Sequence, residues 1–205
     1  MIKLIIFDLW STLQYKRRRR GAIAWFWRRI ANKHPYRKVL KAYERIFQLD
    51  KSDDYVKKYY ELFSELELKK DEKLIRKVAK YRKDIEKCGT LYKYAIPLMR
   101  KLKKKGYKIA VLSNITHLQG KKVRSTVLKK YANHFFFSYN IGTIKPNVNN
   151  YKTVLKFFKV KPKEAVMIGD NYKDDYKGSK KAGLNAIHFK NGRQLNRDLK
   201  RMGVL

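Results

Sequence analysis

Residues 4–13 have the sequence Leu-Ile-Ile-Phe-Asp-Leu-Trp-Ser-Thr-Leu, and this stretch decides the fold we expect. It is continuously apolar up to Phe7, which is typical of a strand buried on both faces of a parallel sheet. It then ends on Asp8, and polar Ser11 and Thr12 follow. Because ligands of open α/β sheets bind beyond the carboxyl ends of the strands, Asp8 stands where a nucleophile or metal ligand would stand. Such a carboxylate can also be only a turn or helix cap, so later segments must decide between the two roles.

The composition places the chain in a broad class. Its 205 residues fit one domain, or one domain with a sizeable insertion. The single cysteine, Cys88, allows no intramolecular disulfide and suits a reducing compartment. No apolar stretch approaches the roughly 20 residues that span a bilayer, and the first residues lack a signal-peptide pattern. We therefore expect a soluble, cytoplasmic protein without a membrane partner.

The net charge is strongly positive, since 52 Lys and Arg against 17 Asp and Glu give +35. This charge is compatible with a polyanionic partner such as nucleic acid, and equally with a general basic bias, because the lysines are spread along the chain. The acidic residues are more informative. Outside residues 14–93 they are Asp8, Glu164, Asp170, Asp174, Asp175 and Asp198. Four of these six lie at two predicted strand ends, which indicates cation binding or chemistry there.

The segment after the first strand is predicted to be helical. Apolar residues keep helical spacing in four stretches, which lie around 23–30, 36–47, 55–66 and 74–85. Four consecutive arginines, Arg17 to Arg20, precede them. This run is interpreted either as a solvated connector or as a patch that gathers anions.

From residue 90 onward the pattern changes to strands alternating with helices. The predicted strands are 108–112, 135–139, 165–168 and 186–189. The predicted helices are 95–105, 118–132, 150–158 and 175–182. This alternation indicates βαβ units, and therefore a parallel sheet with helices on both faces.

Polar side chains follow the predicted strands. Asp8, Ser113 and Asp170 each come directly after a strand, and Lys145 lies in the loop after another. In a parallel sheet all four gather at one edge. A carboxylate nucleophile, a hydroxyl donor, an ammonium group and further carboxylates form a plausible phosphoryl-transfer site.

The acidic residues of this group suit a hard divalent cation. Asp170, Asp174 and Asp175 are spaced i, i+4 and i+5 in a loop that enters a helix, and they can converge with Asp8 on Mg²⁺. Each also has an ordinary interpretation, as a turn residue or a helix cap, when taken alone.

Four motifs in this order make the chain similar to the haloacid dehalogenase (HAD) superfamily of hydrolases. The motifs are Phe7 to Leu13, Leu112-Ser113-Asn114, Ile144-Lys145-Pro146, and Gly169 to Gly183. The resemblance implies an α/β fold with a Rossmann-like parallel sheet core at residues 1–13 and 90–205. It also implies that residues 14–89 form a helical C1-type cap, inserted after the first strand.

The resemblance implies a Mg²⁺-dependent phosphatase that acts on a small phosphorylated metabolite. By this resemblance Asp8 attacks phosphorus and becomes an aspartyl phosphate, Ser113 bonds the transferring group, and Lys145 offsets its charge. Thr12 and Asn114 would contact the substrate. The implied metal ligands are Asp8, the backbone carbonyl of Trp10, Asp170, Asp174 and Asp175.

Trp10 departs from the family pattern. Family phosphatases carry a second Asp two residues after the nucleophile, which protonates the leaving group, and indole cannot do this. An aromatic residue at this position is similar to the family's 2-haloacid dehalogenases, which form the second hypothesis. A third is a weakly catalytic HAD scaffold that binds RNA or another polyanion. Neither the substrate nor the oligomeric state is predictable from these motifs.

Overall fold

The computed structural model describes residues 1–15, 22–86 and 89–205, and its centre is a five-stranded sheet in the order β5-β4-β1-β6-β7. The strands are β1 (Leu4–Phe7), β4 (Lys108–Ser113), β5 (His134–Phe137), β6 (Ala165–Gly169) and β7 (Asn185–His188). All four pairings are parallel. The predicted fold class is therefore confirmed.

β1 occupies the middle of the sheet, as its continuous apolar sequence predicts. It pairs with β4 on one side and β6 on the other, so that Phe7 lies level with Val111 and Ile168. Every residue of β1 is fully buried. The first residue after it, Asp8, therefore emerges at the centre of the sheet's carboxyl edge.

Helices cover both faces of the sheet. On one face, Ile5 and Phe7 pack with α5 (Ala95–Lys104) and α10 (Gly192–Arg201). On the other, Leu4 and Ile6 pack with α8 (Val148–Phe158). Alternate residues of β1 therefore belong to two separate apolar layers, because successive side chains of a strand point to opposite faces of the sheet.

Four helices lie among the described residues between the first and second motifs. They are α1 (Ala22–Arg29), α2 (Tyr36–Gln48), α3 (Tyr55–Glu65) and α4 (Glu72–Ile85), which agrees with the four predicted stretches. Their apolar faces form a core of their own, which includes Phe26, Phe47 and Phe63. Arg17 to Arg20 and Cys88 lie outside the described residues. Among the described helices, none is long and apolar enough to cross a membrane.

Three predicted elements differ from the structure. The helix expected over 118–132 is divided into α6 (His117–Arg124) and a 3₁₀ turn (Val127–Lys130), because the Thr126 side chain caps a new turn at the Leu128 amide. The strand expected to reach residue 139 ends at Phe137, where the short helix α7 (Ser138–Ile141) begins. The helix expected over 175–182 is a π-helical turn (Tyr172–Lys177) followed by α9 (Gly178–Lys181).

Three further elements, two short strands and one helix, were not predicted. β2 (Gln14–Tyr15) and β3 (Thr90–Leu91) pair antiparallel where the chain leaves the sheet and returns to it. Strands of two residues carry no periodic pattern, so a sequence cannot reveal them. α10 also lacked a prediction, although Asn191 is a favourable N-cap and accepts a hydrogen bond from the Gln194 amide.

A buried ionic network joins α2, α3 and α4 to the loop after β4. The Glu86 carboxylate pairs with Arg82 and accepts hydrogen bonds from the hydroxyls of Thr116, at 2.9 Å, and Tyr55. The Arg82 guanidinium in turn donates to the Tyr43 hydroxyl at 2.7 Å. Glu86 is fully buried, so its charge depends on these partners for solvation.

We expect Glu86→Ala to lower the free energy of unfolding by ~3–5 kcal/mol, because it leaves the Arg82 guanidinium buried and unpaired. Urea denaturation measures this change. The matched control is Glu72→Ala on the same helix, since Glu72 and Arg76 form an i,i+4 pair whose side chains are 62% and 64% exposed. Solvent screens that exposed pair, so its loss should lower the free energy of unfolding far less than the loss of the Glu86 network. Equal losses in the two variants would contradict a structural role for the buried network.

Candidate active site

The carboxyl edge of the sheet brings together residues that are far apart in sequence. Asp8 follows β1, Ser113 is the last residue of β4, and Asp170 follows β6. β1 lies between β4 and β6, so these three residues come from adjacent strands. Asp8 and Ser113 are buried, and Asp170 is partly exposed.

Lys145 is held at the centre of this edge. Its ammonium group lies 2.7 Å from Asp8 Oδ1 and 2.6 Å from Asp175 Oδ1, and it donates to the Leu112 carbonyl at 3.1 Å. The Lys145 and Asp175 side chains are 4% and 1% exposed, so this is a buried charge cluster. Three acceptors around one ammonium group satisfy all three of its donors.

Asn114 fixes the loop that carries Lys145. Its side-chain oxygen accepts from the Lys145 amide at 2.9 Å, and its side-chain nitrogen donates to the Lys145 carbonyl at 3.1 Å. An amide that bonds both backbone groups of one residue fixes the position of that residue. Asn114 thereby ties the loop after β4 to the loop that contains Lys145.

The carboxylates form a compact acidic group. One oxygen atom from each of Asp8, Asp170 and Asp175 lies within 4.8 Å of the others. Asp175 also accepts from the Asn171 amide at 3.0 Å. A Cβ at Gly169 would clash with the Asp175 carboxyl group, so the glycine of the fourth motif is required for this close approach.

Thr12 belongs to the same group. Its hydroxyl lies 3.4 Å from Asp170 Oδ1 and accepts a hydrogen bond from the Asp170 amide at 3.1 Å. The turn that contains Thr12 is compact, because the amides of Leu13 and Gln14 both donate to the Leu9 carbonyl. Thr12 is fully buried, and its contacts orient Asp170.

The site carries more negative charge than positive. Burial raises the pKa of Asp8 to about 7, which Lys145 opposes and the Asp175 charge reinforces. Burial and then the Asp175 charge raise the pKa of Asp170 as well. Burial alone would lower the pKa of Lys145, but the carboxylates of Asp175 and Asp8 raise it above its usual range. Lys145 therefore stays protonated while the carboxylates repel one another.

This donor set fits a hard divalent cation. Three carboxylates and one ammonium group leave two negative charges uncompensated when all are ionised. Oxygen ligands at this spacing suit Mg²⁺, which prefers carboxylates and water. A cation here would relieve the repulsion that raises the carboxylate pKa values.

Two residues that were predicted as metal ligands, Asp174 and Trp10, are not part of the compact acidic group. Asp174 lies outside the compact acidic group, is partly exposed and accepts from the Asn171 side chain at 2.8 Å. Burial first, and then the charge of Asp175, raise its pKa, while Lys145 opposes this. Trp10 packs beside the apolar core and against Gly89, where a Cβ would lie 2.7 Å from its ring.

Two residues near the site were missed by sequence reasoning. Asn171 caps the π-helical turn, since its side chain accepts from the amides of Lys173 and Asp174. Its position directly after the Gly-Asp pair was the available signal. Glu44 is partly buried on α2, and burial followed by the negative charge of Asp174 raises its pKa. No local pattern distinguishes Glu44, because it sits on a surface helix rich in charged residues.

The fold and site define a parallel α/β protein with an acidic, lysine-bridged centre at the carboxyl edge of its sheet. The chain belongs to the haloacid dehalogenase-like hydrolase family, whose family model matches residues 2–183. The resemblance seen in the four motifs is therefore confirmed. The C1 type of the cap and the division at residues 14–89 remain predictions.

Curated relatives carry phosphatase names. The chain is 34% identical over 100 residues to a glyceraldehyde 3-phosphate phosphatase from Pyrococcus furiosus, covering 48% of this chain and 42% of that protein. It is 30% identical over 103 residues to a phosphoserine phosphatase from Thermus thermophilus, covering 50% and 41% of the two chains. The match thus spans about two-fifths of the length of these relatives.

Solved structures share the fold along nearly the whole chain. A 2-haloacid dehalogenase from Pseudomonas syringae superimposes with a TM-score of 0.63 at 20% identity, covering 98% of this chain and 100% of the other. A HAD family enzyme from Bacteroides thetaiotaomicron, in complex with magnesium and inorganic phosphate, has a TM-score of 0.64 at 19% identity, covering 94% and 96%. At these identities the comparison establishes the fold.

The raised pKa of Asp8 predicts a pH-dependent stability in the metal-free protein. The folded state binds the Asp8 proton more tightly than the unfolded state, whose pKa is near 4. This contribution is fully present below pH ~4 and is lost as the pH rises through about 7. In EDTA, the stability of the wild type relative to Asp8→Asn should fall over that interval by up to ~4 kcal/mol.

Urea denaturation of both proteins at pH 5 and pH 8 measures the part of this fall that lies above pH 5, up to ~3 kcal/mol. Comparison with Asp8→Asn removes the contributions of all other titrating groups to first order. A difference that stays constant, or that grows with pH, would contradict a raised pKa at Asp8.

Proposed function

We propose that the protein is a Mg²⁺-dependent phosphatase that acts on a small phosphorylated metabolite through an aspartyl-phosphate intermediate. The observation that carries this proposal is the Lys145 ammonium between Asp8 and Asp175, with Asp170 beside them. A buried nucleophile, a fixed cation and a carboxylate set for a divalent ion are the parts that phosphoryl transfer requires.

The relatives support the same reaction class. The curated relatives from Pyrococcus furiosus and Thermus thermophilus are named as phosphatases, and their substrates are small phosphorylated metabolites. The Bacteroides enzyme of the same fold was crystallised with magnesium and phosphate. The substrate of this protein is proposed only as a class, because the matched segment covers less than half of either curated relative.

Asp8 would carry the covalent step. A carboxylate oxygen of Asp8 attacks phosphorus in line with the ester oxygen, so an aspartyl phosphate forms, the ester P–O bond breaks, and the leaving oxygen takes the electron pair and then a proton from solvent. A water molecule then attacks the acyl phosphate and loses a proton to solvent, which releases inorganic phosphate and restores the carboxylate. Asp8 follows a fully buried strand, which restricts its position and orientation and so favours the attack.

The neighbouring side chains would position the reacting groups. Lys145 offsets the charge of Asp8 and of the transferring phosphoryl oxygens, and Asn114 keeps the Lys145 loop in place. Ser113, at the end of the adjacent strand, would donate a hydrogen bond to the phosphoryl group. Thr12 would act by orienting Asp170 through its two hydrogen bonds, rather than by contacting substrate directly.

Asp8, Asp170 and Asp175 would hold Mg²⁺, with Asp174 and the Trp10 carbonyl as further candidates. When bound, the ion supplies positive charge that offsets repulsion between the Asp8 carboxylate and a phosphate dianion. The two uncompensated negative charges of the site make a strong case for this occupant.

The helical segment would act as the cap over this edge. Support for this role comes from two contacts at the carboxyl edge of the sheet. The Ser138 hydroxyl, directly after β5, donates to the Gln48 carbonyl at the end of α2 at 2.7 Å, and the Thr116 hydroxyl, in the loop after β4, donates to Glu86 at 2.9 Å. We infer that residues 14–89 form the cap and that its helices select the leaving group.

A 2-haloacid dehalogenase is the second candidate. The aromatic Trp10 favours it, and a dehalogenase from Pseudomonas syringae shares the fold over the whole chain. In that reaction Asp8 would displace halide from carbon without a metal ion. The compact carboxylate group argues for the phosphatase, since a metal-free reaction has no use for Asp170 beside Asp8.

A single assay separates the two candidates. Purified protein is tested on a panel of phosphate monoesters and on 2-haloacids, with Mg²⁺ and with EDTA. We expect hydrolysis of phosphate esters that EDTA abolishes, and a loss of at least ~10³-fold in Asp8→Asn. The control variant is Asp198→Asn, because Asp198 lies on α10 away from the site and should leave activity unchanged.

The outcomes point in different directions. Halide release that persists in EDTA would support the dehalogenase instead. Full phosphatase activity in Asp8→Asn would exclude the aspartyl-phosphate mechanism.

Trp10 predicts a steep dependence on the leaving group. Without a general acid at this position, aryl phosphates should turn over ~10²–10⁴-fold faster than alkyl phosphates. Trp10→Asp should narrow this gap, whereas Trp10→Phe keeps an aromatic ring beside Gly89 and should leave it unchanged. Rates are compared as kcat/KM against leaving-group pKa. A flat dependence in the wild type would show that another group supplies the proton.

A further inference from the structure

A recess lies on the face of the sheet covered by α5 and α10. Its volume is about 990 Å³, close to the upper limit for pockets that hold small molecules. The described residues that line it do not include Asp8, Ser113, Lys145 or Asp170. We call it the α5–α10 cleft, and it is separate from the candidate active site.

Aromatic rings form one end of the α5–α10 cleft. Tyr15, Tyr92 and Tyr94 line it in sequence, with ring centroids 4.9 Å apart for Tyr15 and Tyr92 and 5.8 Å apart for Tyr92 and Tyr94. All three rings are partly exposed. The planes of Tyr15 and Tyr92 are inclined by 41° and those of Tyr92 and Tyr94 by 25°, so the three rings offer separate aromatic faces on which a flat ring can stack. We call these three rings the tyrosine platform.

The rim of the cleft is positively charged. Lys93, Lys101 and Arg193 line it and are exposed, and none of the described lining residues is acidic. Cations on the rim of an apolar recess favour a ligand with an anionic end. The Arg193 guanidinium in particular can bond two oxygens of a phosphate group at once.

Amide side chains complete the lining. Asn191 and Asn196 contribute to it, and both are exposed. The Asn191 side-chain oxygen already accepts from the Gln194 amide at 2.9 Å, so Asn196 is the residue that can offer a donor and an acceptor together. A side-chain amide offers a donor and an acceptor together, which is the pattern that matches the edge of a nucleobase. Rings for stacking, an amide for a base edge and cations for phosphate therefore occur in one cleft.

We propose that the α5–α10 cleft binds a mononucleotide, with its base on the tyrosine platform and its phosphate at the cationic rim. The lining favours one nucleotide, because aromatic faces and cations match the base and the phosphate of such a ligand. The binding would be independent of the proposed phosphatase reaction, because the cleft shares no side chain with the reacting group.

One contact connects the cleft to the active site. The Tyr94 hydroxyl donates to the Thr12 carbonyl, and the Thr12 hydroxyl contacts Asp170. The platform therefore lies directly behind the turn that orients a proposed metal ligand. The cleft is therefore a neighbour of the candidate active site, but it does not open into that site.

The test uses the full chain carrying Asp8→Asn, in EDTA, so that neither catalysis nor metal-dependent binding contributes. Isothermal titration calorimetry measures binding of adenosine 5′-monophosphate, with adenosine and inorganic phosphate as separate probes. We expect the nucleotide to bind at least about tenfold more tightly than either part, because the platform and the rim act together.

Matched variants locate the binding. Arg193→Gln should weaken nucleotide binding about tenfold through loss of a charge-assisted contact. Arg197→Gln, four residues later on the exposed surface of α10 and outside the cleft, should leave it unchanged. Tyr92→Leu should weaken binding at least about fivefold, whereas Tyr92→Phe keeps the ring and should not.

Three results would overturn the proposal. The first is no binding of the nucleotide at millimolar concentration. The second is equal weakening by Arg193→Gln and Arg197→Gln, which would show diffuse attraction to a basic surface. The third is a hexa-adenylate that binds far more tightly than the mononucleotide and loses that gain in Arg193→Gln, which would make the cleft a site for single-stranded nucleic acid.

Discussion

The Lys145 ammonium group between Asp8 and Asp175 is the interaction on which the rest of the site depends. It joins the end of the first strand to the π-helical turn through a loop that belongs to neither. Without Lys145, the carboxylates of Asp8 and Asp175 would be buried with no cation beside them. Burying such uncompensated charges costs several kcal/mol per ion. The sheet, the Asn114 clamp and Gly169 all serve to bring these three charges to one point.

The Glu86 network and the Asp8 group differ in how well their buried charges are balanced. Glu86 has an arginine and two hydroxyls around it, so its charge is compensated within the protein. The Asp8 group keeps an excess of negative charge, which raises the pKa of Asp8 to about 7. A balanced network stabilises the junction between the helices and the sheet, and an unbalanced one is prepared for an external cation.

The strong positive charge of the chain and its acidic centre are complementary. The chain has 52 lysine and arginine residues, whereas the carboxylates Asp8, Asp170 and Asp175 are concentrated at one edge of the sheet. An anionic substrate would be attracted to the surface as a whole, and an acidic centre would accept it only together with a divalent ion. The α5–α10 cleft lacks this acidic component among its described residues, so anions would bind there without a metal ion.

Local sequence determined the five strands of the central sheet, most of the helices and the positions of the four motifs. The continuous apolar run before Asp8 predicted a central buried strand, and helical spacing predicted α1 to α4, because burial and periodicity are written in neighbouring residues. It did not reveal β2, β3 or α10, nor the division of the 118–132 helix, where short elements and a single capping threonine decide the outcome.

Only the tertiary structure decided which of these residues meet. The Ile144-Lys145-Pro146 motif marked Lys145 among 52 basic residues, but its contact with Asp8 spans 137 positions and depends on the fold. The same is true of the Thr12 contact with Asp170 and of Glu86, whose burial depends on helices that pack from a distance. Such contacts follow from the strand order β4-β1-β6, which places the ends of distant segments side by side. Sequence fixes which groups stand at strand ends, and the order of the strands fixes their partners.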